Sequence, residues 1–178
     1  HNVENALGAW EACKALGVDP EEAVSHLQSY RGLPDRLELV GMIGGVNYVN
    51  DSKSTSPAAA ITGLNAFPEG RILLIAGGSP KNVSYAEMAR AIRERARVCI
   101  VIGQTGPEIA GAIMEEVGDD GTVTVLHAES LERAVALASE EAREGDVVLL
   151  SPGCASYDMF ANYEERGHRF RTLVRALE

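Results

Sequence analysis

Two short segments combine a lysine with several hydrogen-bonding groups, which is the chemistry needed to hold an anion. Asn50-Asp51-Ser52-Lys53-Ser54-Thr55-Ser56 brings an acid, a cation and four hydroxyls together directly before Pro57. Gly77-Gly78-Ser79-Pro80-Lys81-Asn82 places a lysine after two glycines, which allow the backbone to approach a ligand closely. The chain has 13 arginines but only three lysines, and two of the three lie in these segments. A lysine in a crevice supplies a point charge for phosphate or carboxylate.

Each segment also has a purely structural interpretation. The first is compatible with a hydroxyl-rich helix N-cap, and the second with a plain turn. Lys53 argues against a simple cap, because a cation at a helix N-terminus opposes the helix dipole. A bound anion would remove that conflict.

A third segment, Ser151-Pro152-Gly153-Cys154-Ala155-Ser156-Tyr157-Asp158, follows an apolar run and includes a thiol. We favour packing over a nucleophilic role for Cys154, because no histidine lies in the other two segments. His127 at a predicted strand end is more typical of a structural residue than of a general base. The GxxxxGK[ST] and GxGxxG phosphate loops are absent, and His and Cys do not show zinc-ligand spacing, so no metal site is predicted.

The elements that would position these segments follow from apolar periodicity. Strand-like runs alternate with helix-like stretches, which predicts βαβ units and an α/β fold with helices on both faces of a mixed, mostly parallel, six-stranded sheet. The predicted strands are Leu37–Ile43, Val46–Asn50, Ile72–Ala76, Val98–Ile102, Val123–His127 and Val147–Leu150. The predicted helices between and after them cover residues 57–66, 84–96, 107–117, 130–143 and 163–177.

Several details refine this expectation. Gly44-Gly45 predicts a β-hairpin whose first strand runs antiparallel at a sheet edge. In an open α/β sheet, ligands bind beyond the carboxyl ends of the strands, where all three segments lie. In the last helix we expect Phe170, Leu173, Val174 and Leu177 to face inward, and Arg166, Arg169, Arg171 and Arg175 to face largely outward.

The N-terminal part is predicted to be a short helical segment. A helix is expected over Asn5–Leu16, and Asp19 with Pro20 marks the start of a second helix that runs to about Ser29. Arg31-Gly32-Leu33-Pro34 interrupts the helical pattern and marks the boundary to the main domain. Because the chain opens on His1 rather than Met, we expect it to be cut from a longer protein.

Composition excludes several classes of function. The 178 residues include 16 basic and 26 acidic side chains, a formal net charge of −10, which argues against nucleic acid or an anionic membrane as a partner. The longest apolar runs reach about a quarter of the roughly 20 residues that a bilayer-spanning helix needs. Three widely spaced cysteines without a CxxC pair, and no signal peptide, predict a reducing, cytoplasmic location.

With these segments in view, the chain resembles the Mur ligase family, and within it the branch that adds D-glutamate. The matching segments are His1–Asn5, Gly32–Arg36, Asn50–Thr55, Gly77-Gly78 through Lys81, and Ser151–Gly167. They occur nearly end to end in the family's order and spacing, and the last, SPGCASYDMFANYEERG, is long and specific.

The resemblance implies that residues 1–33 are the helical tail of a central ATP-binding domain. Residues 34–178 would then be the Rossmann-like C-terminal Mur ligase domain, which binds D-glutamate. The family's complete enzyme joins D-glutamate to UDP-N-acetylmuramoyl-L-alanine in peptidoglycan synthesis, using ATP and Mg²⁺ through an acyl phosphate. We expect it to act as a monomer. Because the P-loop and the magnesium ligands would lie in the missing central domain, we expect the chain alone to be inactive.

Site residues also follow from the resemblance. Positions that hold the adenine and ribose end of ATP in the family match Asn5, Arg36 and Asp51. Positions around the incoming D-glutamate match Thr55, Lys81, Ser156 and Tyr163. Lys53 and Lys81 are the expected catalytic residues, with the anion that Lys53 contacts left open. One departure is Ser79-Pro80, where the family commonly has an acidic residue or glycine.

Three alternatives remain open from the sequence. The folate-polyglutamate ligase branch shares the architecture, although NDSKST and SPGCASYDMF favour the D-glutamate branch. A non-catalytic module that binds a nucleotide or an amino acid is a second alternative. A scaffolding domain is a third, and it predicts that neither lysine matters for ligand binding.

Overall fold

A computed structural model of the chain describes residues 2–30, 32–117 and 123–177. His1 and Arg31, which the sequence interpretation used, lie outside these residues. The chain divides into two compact units, His1–Gly32 and Leu33–Glu178.

The first unit contains two helices, α1 (Asn2–Ala15) and α2 (Pro20–Ser29). The predicted start of α2 is confirmed, because Asp19 Oδ1 accepts hydrogen bonds from the amides of Glu21 at 2.9 Å and Glu22 at 3.1 Å. Helix α1 begins three residues earlier than predicted and ends before Gly17, which has a φ of +75°. A shallow groove between the helices is lined by Trp10 and Val24 among others.

The second unit is built on a six-stranded sheet. Its strands are β1 (Glu38–Ile43), β2 (Val46–Asn50), β3 (Ile72–Gly77), β4 (Ala96–Ile102), β5 (Thr124–His127) and β6 (Val147–Leu150). Their order across the sheet is β1-β2-β6-β3-β4-β5. Strand β1 pairs antiparallel with β2 at one edge, and the other pairings are parallel. The predicted mixed, mostly parallel sheet and its antiparallel edge hairpin are therefore confirmed.

Helices cover both faces of this sheet, as predicted. They are α3 (Pro57–Leu64), α4 (Ala86–Arg95), α5 (Gly106–Val117), α6 (Leu131–Glu141) and α7 (Tyr163–Arg175). Alternate strand residues point to opposite faces, so that Leu74 packs in the cluster with α3, α4 and α5, whereas Leu73 packs in the cluster with α6 and α7. Four of the predicted helices, α3, α4, α6 and α7, are two or three residues shorter than expected: α3 ends at Leu64, α4 spans Ala86–Arg95, α6 spans Leu131–Glu141 and α7 ends at Arg175.

Two expectations about α7 are wrong. Arg171 was expected to face largely outward, but only 19% of its side chain is exposed and its guanidinium pairs with the buried carboxylate of Asp35. Arg166 was expected to face largely outward, but its side chain is fully buried. Arg166 lies four residues before Phe170 and eight before Val174, so the helical period places it on the same buried stripe as these two residues. Burial is tolerated because hydrogen-bond acceptors surround the guanidinium.

Strand β6 lies between β2 and β3 and creates a crevice at the carboxyl ends of the three strands. Helices α3 and α4, which follow β2 and β3, pack on one face, whereas α7, which follows β6, packs on the other. The loops after these strands therefore diverge, and this is where open α/β sheets bind ligands. No helix in the described part of the chain is long and apolar enough to cross a membrane.

Candidate functional site

The loops after β2 and β3 meet through the two predicted residues Lys81 and Thr55. Lys81 Nζ donates to the carbonyl oxygen of Thr55 at 2.7 Å and lies 3.4 Å from its Oγ1. Lys81 is exposed and Thr55 is half-buried. A lysine and a threonine that are 26 residues apart in sequence thus form one polar surface at the carboxyl ends of the strands.

The glycines before Lys81 allow close packing of backbone against backbone. Gly77 and Gly78 have φ values of +114° and +148°, which favour glycine. A Cβ at Gly77 would overlap the carbonyl oxygen of Ile102, and a Cβ at Gly78 would overlap that of Ala155. In this structure the two glycines therefore let the β3 loop pack against the backbones of its neighbours.

Ser79, the departure from the family pattern, joins the loops after β3 and β6. Asp158 N donates to Ser79 Oγ at 2.7 Å, and Ser79 Oγ donates back to Asp158 Oδ1 at 3.2 Å. Asp158 Oδ2 also accepts from Gln104 N at 3.0 Å, which adds the loop after β4. The segment that carries Lys81 is thus held at Ser79 by two neighbouring loops.

Lys53 lies beside α7. Its Nζ is 5.9 Å from the centroid of the Tyr163 ring, within the range of a cation–π contact. Its amide donates to the carbonyl oxygen of Asp35 at 2.9 Å. The cap of α3 is Ser56, whose Oγ accepts from Ala59 N at 3.4 Å. Capping of α3 therefore explains why a hydroxyl residue stands at Ser56. It does not explain the charge of Lys53, which is exposed.

Asp51 is buried and hydrogen-bonded from within the protein. Its Oδ2 accepts from Ser54 Oγ at 2.5 Å and Ser151 Oγ at 2.7 Å, and its Oδ1 accepts from Leu37 N at 3.2 Å. Burial raises the pKa of the Asp51 carboxyl, although the hydroxyl donors and the charge of Arg36 oppose the shift. Asp51 therefore joins the segment before β1 to the loops after β2 and β6.

Arg36 is exposed and lies between two residues with unusual backbone conformations. Its neighbours Asp35 and Leu37 have φ values of +60° and +45°. Positive φ is uncommon for residues other than glycine and is typical of functional sites when surrounding contacts enforce it. Asn5, the third residue expected to contact the nucleotide, is an exposed residue of α1 in the first unit.

Ser156 and Cys154 lie in the loop after β6 and are both buried. The Ser156 carbonyl accepts from Phe160 N at 2.8 Å, which closes a turn before α7. Cys154 Sγ lies 3.2 Å from both Tyr85 Oη and Thr105 Oγ1. Burial raises the pKa of the Cys154 thiol, which disfavours the thiolate and supports the packing interpretation.

Arg166 is the central residue that sequence reasoning missed. Its Nε donates to Ser52 Oγ at 2.9 Å, and its Nη2 donates to the Ser52 carbonyl at 2.8 Å. Its Nη1 donates to the carbonyls of Cys154 at 3.2 Å and Ala155 at 3.3 Å. Burial lowers the pKa of Arg166 to about 10, so the group stays protonated at neutral pH. The sequence does indicate its burial, because Arg166 lies on the same helical stripe as the apolar residues Phe170 and Val174.

The charge distribution of this edge is unusual for a chain of net charge −10. In the described residues, the ion pairs do not include Arg36, Lys53, Lys81 or Arg166. Arg36, Lys53 and Lys81 lie in loops and Arg166 lies in α7, and none of the four forms a carboxylate salt bridge within the described residues. The same described ranges contain no cluster of three or more His, Cys, Asp or Glu side chains that could hold a metal ion.

Comparison with known proteins places this arrangement in a family. The family model for the Mur ligase, glutamate ligase domain matches residues 35–154. The chain is 45% identical over 178 residues to a UDP-N-acetylmuramoylalanine--D-glutamate ligase of Pelotomaculum thermopropionicum, covering 100% of this chain and 38% of that protein. It is 43% identical over 180 residues to the ligase of the same name from Hahella chejuensis, covering 99% and 39%.

A solved structure supports the fold. E. coli FolC in complex with ADP matches with a TM-score of 0.65 and 20% identity, covering 97% of this chain and 39% of that one. At this identity the likeness concerns the fold alone. The chain thus spans about two fifths of the length of the relatives that it matches. The match over residues 35–154 confirms the resemblance seen in the sequence, and the chain belongs to the Mur ligase family.

Proposed function

We propose that this chain is the C-terminal part of a cytoplasmic, monomeric, ATP-dependent ligase that joins D-glutamate to UDP-N-acetylmuramoyl-L-alanine for peptidoglycan synthesis. One observation carries the proposal: exposed cations at the carboxyl ends of β2 and β3 have no acidic ion-pair partner among the described residues. Such a surface favours an anionic ligand, and D-glutamate carries two carboxylates. The names of the relatives at 43–45% identity support this substrate.

The D-glutamate subsite is proposed to involve Lys81, Thr55, Ser156 and Tyr163. Lys81 supplies a positive charge, and its hydrogen bond to the Thr55 carbonyl holds the ammonium at the crevice. The hydroxyl of Thr55, 3.4 Å from the same ammonium, offers a neutral donor beside the charge. Together they can make charge-assisted hydrogen bonds to a substrate carboxylate.

The nucleotide side is proposed to use Arg36 and the segment around Asp51. Because the Asp51 carboxylate is buried and already accepts three hydrogen bonds, its contribution is to hold the segment before β1 and the loops after β2 and β6. The exposed guanidinium of Arg36 is then the group available to a nucleotide. For Asn5, an exposed residue of α1, we propose a nucleotide-binding role on the basis of family membership alone.

In the proposed reaction, the carboxylate of UDP-N-acetylmuramoyl-L-alanine takes the γ-phosphoryl group of ATP, which gives an acyl phosphate and ADP. The amine of D-glutamate attacks the acyl carbon, loses a proton, and displaces phosphate to form the amide. This chain contributes positioning and charge stabilisation, since no covalent enzyme intermediate is needed. Lys53 is proposed to stabilise negative charge at the same site.

Magnesium does not fit the described part of this chain, which offers no cluster of three carboxylate, imidazole or thiolate side chains. Mg²⁺ prefers carboxylates and phosphate oxygens in octahedral geometry. We therefore assign its ligands to the part of the ligase outside this chain.

The test compares two lysines in the intact ligase. Lys81→Ala should raise the KM for D-glutamate at least about tenfold and change the KM for ATP far less, because a charge-assisted hydrogen bond to one substrate is lost. Lys14→Ala is the matched control, since Lys14 forms an exposed pair with Glu11. An equal rise in the KM for D-glutamate and the KM for ATP in Lys81→Ala would contradict the assignment of Lys81 to the D-glutamate subsite.

The alternatives give different results in the same assays. A binding module would bind nucleotide or D-glutamate without forming an amide even when joined to the remaining part of the ligase. A folate-type ligase would accept a folate and reject the UDP-linked substrate. The purified 178-residue chain should show no ligation, and amide formation by that chain alone would contradict the proposal.

A further inference from the structure

We propose that Arg171 and Asp35 are positioning residues that fix Arg36 for the nucleotide without contacting the nucleotide themselves. This inference rests on the proposed function, because it deepens the role of the Arg36 side of the site. The pair joins α7 to the segment before β1.

The first observation is backbone conformation. Asp35 and Leu37, on either side of Arg36, are two of three non-glycine residues with positive φ in the described chain. Leu37, with a φ of +45°, lacks the short polar side chain that makes this conformation easier for Asp and Asn. Such a turn persists only when its surroundings hold it in place.

The second observation is the set of contacts that holds the turn. Asp35 Oδ1 accepts from Arg171 Nη1 at 2.8 Å and from Asn50 Nδ2 at 2.8 Å. Glu38 Oε2 accepts from Arg171 Nη1 at 2.9 Å and from the Asp35 amide at 2.9 Å. Asp35 is only 4% exposed, so its charge is buried against α7 and β2.

The third observation is the space that α7 leaves for this carboxylate. A Cβ at Gly167 would overlap Asp35 Oδ1, so only glycine allows the approach without a shift. Gly167 lies four residues before Arg171, on the same side of the helix. Helix α7 thus provides both the gap and the cation for Asp35.

The turn around Arg36 is also hydrogen-bonded to the loop after β2 on both sides of Arg36. Leu37 N donates to Asp51 Oδ1, and the Asp35 carbonyl accepts from Lys53 N at 2.9 Å. Arg36 therefore projects from a segment that is fixed on both sides before any ligand arrives. Such preorganisation lowers the entropy cost of binding, whereas a free turn would have to order itself around the nucleotide.

The test uses two arginines of the same helix in the intact ligase. Arg171→Ala should raise the KM for ATP about tenfold and leave the KM for D-glutamate within about twofold, since the turn that carries Arg36 loses its direct anchor on α7. Arg169→Ala is the matched control, because Arg169 of the same helix also forms an ion pair, with Glu132 at 2.6 Å, but on an exposed surface. Arg171→Lys should recover part of the loss.

A second measurement on the 178-residue chain separates this inference from the proposed function. Amide hydrogen exchange at Leu37 and Lys53 should be about tenfold faster in Arg171→Ala than in Arg169→Ala, because each amide takes part in a hydrogen bond between the released turn and the loop after β2. Equal exchange in the two variants would overturn the positioning role. If the intact wild-type ligase forms no amide, the proposed function fails, and the exchange result still decides the positioning role.

Discussion

Two buried carboxylates at opposite ends of the sheet, Asp146 and Asp51, have different kinds of partner. Asp146, at the amino end of β6, is 1% exposed and pairs with Arg97 at 2.6 Å and Arg71 at 3.6 Å. Asp51, at the carboxyl end of β2, is 3% exposed, and its Oδ2 accepts from two serine hydroxyls. Cations neutralise Asp146, whereas neutral donors satisfy Asp51, even though Asp35, also at the carboxyl end, pairs with Arg171.

The kind of partner that a buried acid has determines how much positive charge remains available for a ligand. Ion pairing of Asp51 would draw cations of the carboxyl end into internal salt bridges and leave less positive charge for a ligand. Because hydroxyls satisfy Asp51 instead, Lys53 and Lys81 stay free of carboxylate pairs in the described structure. Open α/β sheets bind ligands at this end. In this chain the exposed cations Lys53 and Lys81 lie at the same end.

The largest expected effect comes from removing the buried cation of the carboxyl end. Arg166→Ala should lower the free energy of unfolding by about 3–5 kcal/mol, because three backbone carbonyls and Ser52 Oγ lose a charged donor and a cavity remains. Urea unfolding of the 178-residue chain measures it. Arg166→Met, which keeps much of the volume, should remain strongly destabilised, and Arg169→Ala should cost less than about 1 kcal/mol. Similar stability of the Met variant and the wild type would show that packing, not hydrogen bonding, dominates.

A smaller effect is expected at the amino end. Asp146→Asn should cost about 2 kcal/mol, because the charged acceptor for Arg97, Arg71 and the Arg143 amide is lost while the partly exposed arginines regain water. The same variant in the intact ligase should leave the KM for D-glutamate unchanged. A raised KM would show that the two ends of the sheet are coupled.

Asp51→Asn should have a modest effect on stability that depends on pH. The folded pKa of Asp51 is raised above its ordinary value of 3.8, so the folded state holds its proton more tightly than the unfolded state. The contribution of Asp51 to the free energy of unfolding is therefore fully present below pH 3.8, and it falls as the pH rises through the higher pKa of the folded state. The difference between wild type and Asp51→Asn, measured in urea, should favour the wild type more at pH 4 than at pH 7. A difference that grows with pH would contradict the shift.

The smallest effect on stability is expected at Lys81. Its side chain is exposed, so Lys81→Ala should change the free energy of unfolding by less than about 0.5 kcal/mol. The same substitution is expected to impair D-glutamate binding strongly. Thermal unfolding of the chain checks the first statement, and a loss above 1 kcal/mol would mean that the hydrogen bond to Thr55 is structural.

Local patterns predicted most of the fold. All six strands were located, with Val46–Asn50 and Val147–Leu150 at their observed bounds. Apolar runs marked β3, β4 and β6, because strands buried on both faces must be almost continuously apolar, and Gly44-Gly45 marked the hairpin of β1 and β2. Asp19 with Pro20 likewise marked the start of α2, since capping depends only on neighbouring residues. Element ends that depend on packing, such as the last turn of α3, were less accurate.

The candidate site was predictable in part. Lysines at strand ends indicated an anion surface, and the structure brings Lys81 to Thr55. The burial of Arg166 was missed because arginine was assigned to the surface by its charge, although its spacing to Phe170 indicated the core. The positive φ of Leu37 has no local signal, because contacts from distant segments hold the turn, among them Asp51 and Arg171.

The position of β6 also has a consequence for how the chain folds. This strand is the last of the six in sequence but pairs between β2 and β3, with about 100 residues separating Asn50 from its partner Leu150. Until residues 147–150 are in place, β2 and β3 each have an unpaired edge. Pairings of such sequence separation form slowly, and exposed strand edges promote association between chains. A nascent chain that stops before residue 147 therefore lacks the strand that unites the two halves of its sheet.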